Sequence, residues 1–169
     1  MTLKKLIREN KYEFLIFGLI QHLFVGIFLT DLPFYASVIW PINMIILSIS
    51  CMMIFENKSK TQIGFSILFS FLVFILPIVL QFVSDDLQLL IWLSGIYVAF
   101  FVYVLWEVMR YLMKPSYINK DIISAAGCGI FLLIEIAVFL MQALYYSDPT
   151  SFTGISTGNP ATTYIDFVY

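Results

Sequence analysis

Charged residues are scarce in this sequence: Asp, Glu, Lys and Arg together make up 12% of its 169 residues. A soluble domain has about 25% charged residues and roughly 45–50% apolar ones. This chain is 61% hydrophobic and has a mean hydropathy of +0.94. Such an apolar excess is larger than a core of this size can bury, which excludes a water-soluble globular domain and predicts a membrane protein.

Cysteine and histidine are also rare, with two cysteines and one histidine in the chain. Cys51 and Cys128 both lie within apolar segments, and two isolated thiols do not form a ligand cluster. We interpret them as packing residues, because an unpaired cysteine behaves as a small hydrophobic side chain. The sequence shows no metal site and no cofactor motif, and we expect neither a cofactor nor enzymatic activity.

Long apolar runs dominate the rest of the chain. A membrane helix needs about 20 residues to cross roughly 30 Å of hydrocarbon. Five runs are long enough, and they predict an all-α, polytopic membrane protein with five transmembrane helices. The predicted spans are residues 14–30, 32–55, 61–84, 87–113 and 122–147.

The basic residues are distributed unevenly around these runs. Eight of the nine Lys and Arg residues fall before the first run, between the second and third, or between the fourth and fifth, and the ninth, Arg110, lies at the end of the fourth run that faces the same side. Because cytoplasmic loops are enriched in Lys and Arg, the N-terminus is predicted to be cytoplasmic and residues 148–162 extracytoplasmic. We expect a multi-pass protein of the cell inner membrane or plasma membrane, with the lipid bilayer as a partner.

Polar residues inside the predicted spans are the candidate functional residues. Glu135 lies near the middle of the fifth span, where a carboxylate should face protein or water, or be protonated. It is either a group that attracts cations or takes part in gating, or a structural hydrogen-bonding group. His22 and Gln21 in the first span are either hydrogen-bonded to a neighbouring helix or part of a proton-linked or ligand site. Asn43 belongs to the same possible polar site, beside a kink predicted at Pro41.

The last third of the chain has its own order of segments. The apolar run 122–147 is followed by a polar loop rich in Gly, Pro, Ser and Thr, and then by a short apolar-aromatic segment. Thr163 followed three residues later by Asp166 is a weak capping-box pattern, which predicts that a helix begins at Thr163.

This region resembles the pore module of prokaryotic tetrameric cation channels, most closely the potassium-channel-like proteins of bacteria. The resemblance is carried by residues 121–126, 129–135, 143–146, 149–152 and 164–169, which read DIISAA, GIFLLIE, ALYY, PTSF and YIDFVY.

The resemblance implies a division of the chain into two parts. Residues 1–120 would form a peripheral four-helix region, and residues 121–169 a pore module. The pore module would consist of an outer pore helix at 122–147, an extracellular loop at 148–162 and the start of a pore helix at 163–169. The intact form of such a protein conducts K⁺ passively as a homotetramer. Glu135 and Asp166 are then the candidates for the ion pathway.

The family's defining filter, a Thr-rich run leading to Gly-Tyr-Gly-Asp or Gly-Phe-Gly-Asp, does not occur in this sequence. Because a selective filter is built from backbone carbonyls, we expect that this chain alone does not conduct selectively. We interpret it as truncated before the filter and the inner helix. Two alternatives are a small membrane transporter that uses Glu135 and His22, and a non-conducting membrane assembly subunit.

Overall fold

The computed structural model of the chain describes residues 10–55, 60–80, 87–113, 117, 119–155 and 159–169. These residues form helices and connecting turns, and no strand occurs among them. The first helix, α1 (Lys11–Leu29), is apolar over most of its length. It ends where the Thr30 N–H donates to the Gly26 carbonyl, and a turn closed by the Tyr35 N–H leads into the second span.

Pro41 shapes the second span. Proline has no N–H, and its ring crowds the carbonyl four residues earlier, so a regular helix is disturbed there. The span begins with a π-helical turn, Tyr35–Ile39, in which the Trp40 N–H donates to the Tyr35 carbonyl. The helix α2 (Trp40–Met52) follows with proline in its first turn, and a 3₁₀ turn, Met53–Phe55, closes the span. A π turn is a common cause of a kink, and it lies beside the predicted kink site.

Three more long helices follow: α3 (Lys60–Leu80), α4 (Leu87–Leu112) and α5 (Lys120–Ser147). The side-chain oxygen of Asn119 caps α5, accepting the Ile122 N–H at 3.0 Å. Within the described residues, four helices are long and apolar enough to cross a membrane: Lys11–Leu29, Tyr35–Phe55, Leu87–Leu112 and Lys120–Ser147.

The predicted all-α class is therefore confirmed, and these four helices are compatible with a multi-pass membrane protein. The count of five spans stays a prediction. The predicted third span, 61–84, coincides with α3 as far as residue 80, and residues 81–84 lie outside the described residues. Within α3, the stretch Ile67–Leu76 is apolar.

The long helices close a ring of contacts. α5 packs most extensively against α4 and next against α1, while α1 packs on α2, α2 on α3, and α3 on α4. Close approach of α1 and α2 depends on Gly18, because a β-carbon there would lie 2.8 Å from the Ser50 Oγ. The helix of the predicted pore module thus packs directly on helices of the predicted peripheral region. The division into 1–120 and 121–169 stays a prediction.

The last helix, α6 (Pro160–Val168), begins three residues before the predicted start at Thr163. Asn159 is its N-cap, since its side-chain oxygen accepts the Ala161 N–H at 2.9 Å, and Pro160 fits the first helical position. Thr163 is consequently a buried residue of the helix interior, with its N–H donated to the Asn159 carbonyl. The capping box of Thr163 and Asp166 is therefore wrong, and the loop is three residues shorter than predicted.

α6 lies against three parts of the bundle: α5, α1 and the π turn that precedes α2. Its nine residues extend about 13 Å, which is too short to cross a bilayer. On the α1 side, Ile165 lies over Gly26, where a β-carbon would come within 2.9 Å of the Ile165 Cδ1. On the α5 side, Phe167 contacts the edge of Tyr145. The short helix is thus seated against the ends of longer helices.

Candidate functional site

The two charged or titratable residues that the sequence analysis placed inside the bundle meet in the structure. Glu135 on α5 and His22 on α1 are 113 positions apart, and the Glu135 Oε1 lies 2.8 Å from the His22 Nδ1. The relative exposure of Glu135 is 0% and that of His22 is 1%. The two helices pack side by side, which brings the middle of α5 against the second half of α1. The hydrogen-bonded interpretation of both residues agrees with this contact.

Tyr164 on α6 completes the group and was not anticipated from the sequence. Its hydroxyl donates to the Glu135 Oε2 at 2.9 Å and lies 3.0 Å from the His22 Nδ1. Its ring packs on the His22 ring at 4.8 Å and on the Phe139 ring at 5.4 Å between centroids. We call Glu135, His22 and Tyr164 the buried polar cluster. It joins three helices at one point.

The buried polar cluster is hydrogen-bonded at every atom but one. Both carboxylate oxygens of Glu135 have partners, and so do the Tyr164 hydroxyl and the His22 Nδ1. The His22 Nε2 is buried and has no hydrogen-bond partner among the described residues. An unpaired buried polar atom is unfavourable, so this nitrogen is the weak point of the cluster.

Gln21 and Asn43, the other predicted polar residues, form a separate pair. The Gln21 side-chain amide on α1 donates to the Asn43 side-chain oxygen on α2. Asn43 is buried and Gln21 is half-buried. The structure therefore divides the predicted polar site into two: His22 joins α1 to α5, whereas its neighbour Gln21 joins α1 to α2.

Asp166, the second candidate for the ion pathway, lies on α6 two residues beyond Tyr164. It is half-buried, whereas Glu135 is fully buried. None of the hydrogen bonds that hold Glu135 involves Asp166 within the described part of the chain. The two candidate carboxylates therefore occupy different environments, and their role in an ion pathway stays a prediction.

A second set of contacts seats the start of α6. The Gln142 side-chain amide on α5 donates to the Pro160 carbonyl at 2.8 Å and also to the Tyr146 hydroxyl at 3.0 Å. At the other end of α6, the Tyr169 hydroxyl donates to the Leu23 carbonyl of α1. These bonds flank the Tyr164 contact, so α6 is attached to the bundle through neutral groups as well as through the cluster.

The turn after α5 is held by Asp148. Its carboxylate accepts the hydroxyls of Ser151 and Thr150, each at 2.6 Å, and the Thr150 N–H at 3.1 Å. The Ser151 hydroxyl, followed by the Thr150 hydroxyl and N–H, lowers the pKa of the Asp148 carboxyl. The side chain is fully exposed, and its role is to order the connection between α5 and α6.

A small cavity lies beside the cluster, behind the Phe139 ring. Two buried polar atoms of its lining residues, the Trp40 Nε1 and the Tyr97 hydroxyl, have no hydrogen-bond partner among the described residues. The lining of this cavity is mainly apolar. The remaining lining residues are Leu90, Leu93, Ser94, Gln142, Tyr146 and Pro160.

The opposite end of the α1–α5 contact carries charged side chains. The Lys120 Nζ donates to the Asn10 side-chain oxygen at 2.7 Å and lies 3.6 Å from the Glu13 Oε1. The Lys11 Nζ lies 5.0 Å from the Tyr12 ring centroid and 5.9 Å from that of Tyr111. Lysines and tyrosines at the end of apolar helices are typical of a membrane–water interface.

The chemistry available to the buried polar cluster is proton exchange between a carboxyl group and an imidazole, with a phenol beside them. Among the described residues, no three His, Cys, Asp or Glu side chains are grouped as a metal site would require. No family model, curated protein or solved structure matches this chain.

Proposed function

We propose that this chain is part of a potassium-channel-like membrane protein, with α5 as its outer pore helix and α6 as the start of its pore helix. The observation that carries the proposal is the path of residues 120–169. A long apolar helix ends at Ser147, and after the connection 148–159 a nine-residue helix packs back onto the bundle. The spacing and residue types are those of the sequence resemblance.

Short helices that enter a membrane without crossing it are stable where protein, rather than lipid, surrounds their ends. α6 fits this condition. The Pro160 carbonyl at its start accepts a bond from Gln142, and Tyr164 reaches the middle of α5. A pore helix of a cation channel requires this kind of support, because it positions the filter that follows it.

The proposed topology places the start of α1 and the start of α5 in the cytoplasm. The Lys120–Asn10 contact supports it, because it brings these two helix starts to the same end of the bundle. Residues 148–162 would then be extracytoplasmic, in the inner or plasma membrane. K⁺ selectivity and a homotetramer are parts of the same proposal.

The experiment begins with the gene downstream of the Tyr169 codon. The proposal expects a Thr-rich segment leading to Gly-Tyr-Gly or Gly-Phe-Gly within the next turns of the chain. The encoded protein, reconstituted in planar bilayers, should then pass K⁺ in preference to Na⁺. A filter variant with the central aromatic residue replaced by alanine provides the control.

If the reading frame encodes no such segment, the proposed function is wrong, whatever ion flux is measured. A filter-bearing protein that passes no K⁺, or passes Na⁺ equally well, would contradict potassium selectivity. A reagent that does not cross membranes should label a cysteine introduced at Thr153 from outside. Labelling of this residue only after permeabilisation would overturn the topology.

A second candidate function is a small transporter that couples solute movement to protons. The contact between Glu135 and His22 favours it, since buried carboxyl–imidazole pairs suit proton relays. It predicts that a Glu135→Gln variant loses proton uptake by proteoliposomes. In the channel proposal, K⁺ flux persists without any proton flux, so the two readouts separate the candidates.

A further inference from the structure

The charge of the buried polar cluster depends on its proton count. A neutral His22 beside an ionised Glu135 leaves one uncompensated negative charge, and an imidazolium beside a neutral carboxyl leaves one positive charge. An isolated charge is strongly disfavoured within a bundle surrounded by lipid. Both residues are fully buried, so water does not screen the charge. The neutral cluster has one proton shared between the carboxylate and the imidazole.

Two arrangements of the shared proton satisfy both contacts of the Glu135 carboxyl group. In the first, His22 is an imidazolium whose Nδ1–H donates to the Glu135 Oε1. In the second, the protonated Oε1 donates to the Nδ1 of a neutral imidazole. The Tyr164 hydroxyl donates to the Oε2 in both. The 3.0 Å contact between the Tyr164 hydroxyl oxygen and the His22 Nδ1 is a hydrogen bond only in the first, where the Nδ1–H is shared between the two oxygens. The separations of 2.8 Å and 2.9 Å suit either arrangement, which differ by the movement of one proton along one hydrogen bond.

Both arrangements also place a hydrogen on the His22 Nε2, because the Nδ1 either shares the proton or accepts it. The Nε2 is the buried atom that has no partner among the described residues. This nitrogen lacks a partner whether or not it carries the hydrogen, so it does not favour either state. After dissociation, the Glu135 carboxylate still accepts from the His22 Nδ1–H and from the Tyr164 hydroxyl, and these charge-assisted hydrogen bonds limit the cost of the buried charge. The shared proton can therefore exchange.

We propose that His22 and Glu135 form a buried proton-binding site, and that the single proton bound there holds α6 on the bundle through Tyr164. Dissociation leaves a carboxylate charge at the Tyr164 hydroxyl. Hydration relieves that charge, and water reaches it when α6 moves away from α1 and α5. Proton binding and the seating of α6 are therefore linked equilibria.

The titratable side chains that surround the buried polar cluster are neutral near pH 7, so the proposed pH response belongs to His22 and Glu135. Tyr169 faces it from α6, Tyr35 from the π turn and Cys51 from α2. Tyrosine and cysteine side chains are neutral near pH 7. Tyr97 of α4 lies behind Phe139, against which it is stacked. No Lys or Arg forms an ion pair with the cluster in the described part of the chain.

A direct test uses the fact that the chain contains a single histidine. Labelling histidine with ¹⁵N therefore labels His22 alone, and solid-state NMR of the whole chain in lipid reports the proton on each ring nitrogen. We expect the Nε2 to be protonated when the proton is bound. On raising the pH, the Nε2 should lose its proton while the Nδ1 keeps one facing Glu135. A spectrum with the Nε2 unprotonated throughout the range from about pH 5 to about pH 9 would overturn the proposal.

The link to α6 is tested by hydrogen–deuterium exchange of its amides, with α5 as the internal reference. Protection of residues 160–168, corrected for the intrinsic exchange rate, should fall about tenfold or more as the proton dissociates. The double variant His22→Asn with Glu135→Gln retains a neutral hydrogen-bonded pair that does not titrate. It should keep α6 protected with no dependence on pH.

Matched tyrosine variants separate the cluster from general packing. Tyr164→Phe should reduce α6 protection and abolish its pH dependence. Tyr146→Phe removes another buried hydroxyl, bonded to Gln142 instead, and should leave the pH dependence intact. Equal pH profiles for the wild type and the double variant would refute the link. These measurements involve no ion flux, so the inference and the proposed function fail independently.

Discussion

The two sides of α5 are built differently. Towards α4, the contacts are aromatic: Phe139 stacks on Tyr97 at 4.6 Å and on Phe101 at 5.7 Å between centroids. Towards α1 and α6, aromatic contacts are joined by hydrogen bonds that converge on Glu135. In lipid there is no hydrophobic driving force between helices, so aromatic packing stabilises the bundle only through van der Waals contact. The polar side fixes which residues face each other, because its groups have few alternative partners.

The largest expected loss of stability comes from removing one hydrogen-bonding partner of Glu135. His22→Leu leaves the Glu135 carboxyl buried without its imidazole, and removal of one member of a buried pair destabilises by about 3 kcal/mol. We expect this loss in the free energy of unfolding measured by steric trapping in bicelles. The His22→Asn variant, which retains a donor near the Nδ1 position, is the control and should be less destabilised. Equal losses for the two variants would mean that the hydrogen bond is unimportant.

A smaller effect is expected from the aromatic side. Phe139→Leu keeps an apolar side chain of similar volume but removes the stacking on Tyr97 and Phe101. The expected loss in the same assay is about 1 kcal/mol. The loss should not vary between pH 5 and pH 9, whereas that of His22→Leu should. A pH-dependent loss for Phe139→Leu would show that the two sides of α5 are coupled.

Gln21→Leu tests whether a neutral polar contact between α1 and α2 stabilises the bundle as much as the buried polar cluster does. It removes the amide that bonds Asn43, but no charge is left behind. Neutral hydrogen bonds between membrane helices contribute about 0.6 kcal/mol on average. A loss of about that size is expected, with α6 protection unchanged. A loss comparable to that of His22→Leu would remove the distinction between the cluster and an ordinary polar contact.

The smallest expected effect concerns Asp148, outside the helix contacts. Its pKa is lowered in the folded chain, so the carboxylate contributes to stability above its unfolded pKa, and the contribution is lost as the pH falls through the folded value. The window therefore lies below about pH 4. Asp148→Asn should abolish this acid-dependent loosening of the 148–151 turn, measured by hydrogen exchange. An unchanged acid profile in the variant would assign the loosening to another group.

The long helices were predictable because apolar length alone specifies them. The observed bounds Lys11–Leu29 and Leu87–Leu112 differ by a few residues from the predicted 14–30 and 87–113. The start of α6 was mispredicted, since Thr163 with Asp166 resembled a cap whereas Asn159 with Pro160 provides one. Two capping patterns lie four residues apart here, and the sequence alone does not show which of them begins the helix.

The candidate site was predictable as a set of residues but not as a set of pairs. Glu135 and His22 stand out because polar groups in apolar runs need partners. Their pairing depends on the side-by-side packing of α1 and α5, which periodicity does not encode. Tyr164 was missed because a tyrosine in an aromatic stretch gives no sign that its hydroxyl is buried. Its polar end and apolar ring suit a site such as this one.

The π turn at Tyr35–Ile39 affects how the second span responds to changes in length. A π turn contains one residue more than the corresponding α-helical turn, and each residue rotates a helix by about 100°. A deletion of one residue within this turn can restore a regular helix, and Trp40 and Asn43 keep the face that they present to the bundle. The same deletion inside α2 would rotate every later side chain by about 100° and turn that face towards lipid. The second span therefore has one segment that tolerates a single-residue deletion, next to a helix that does not.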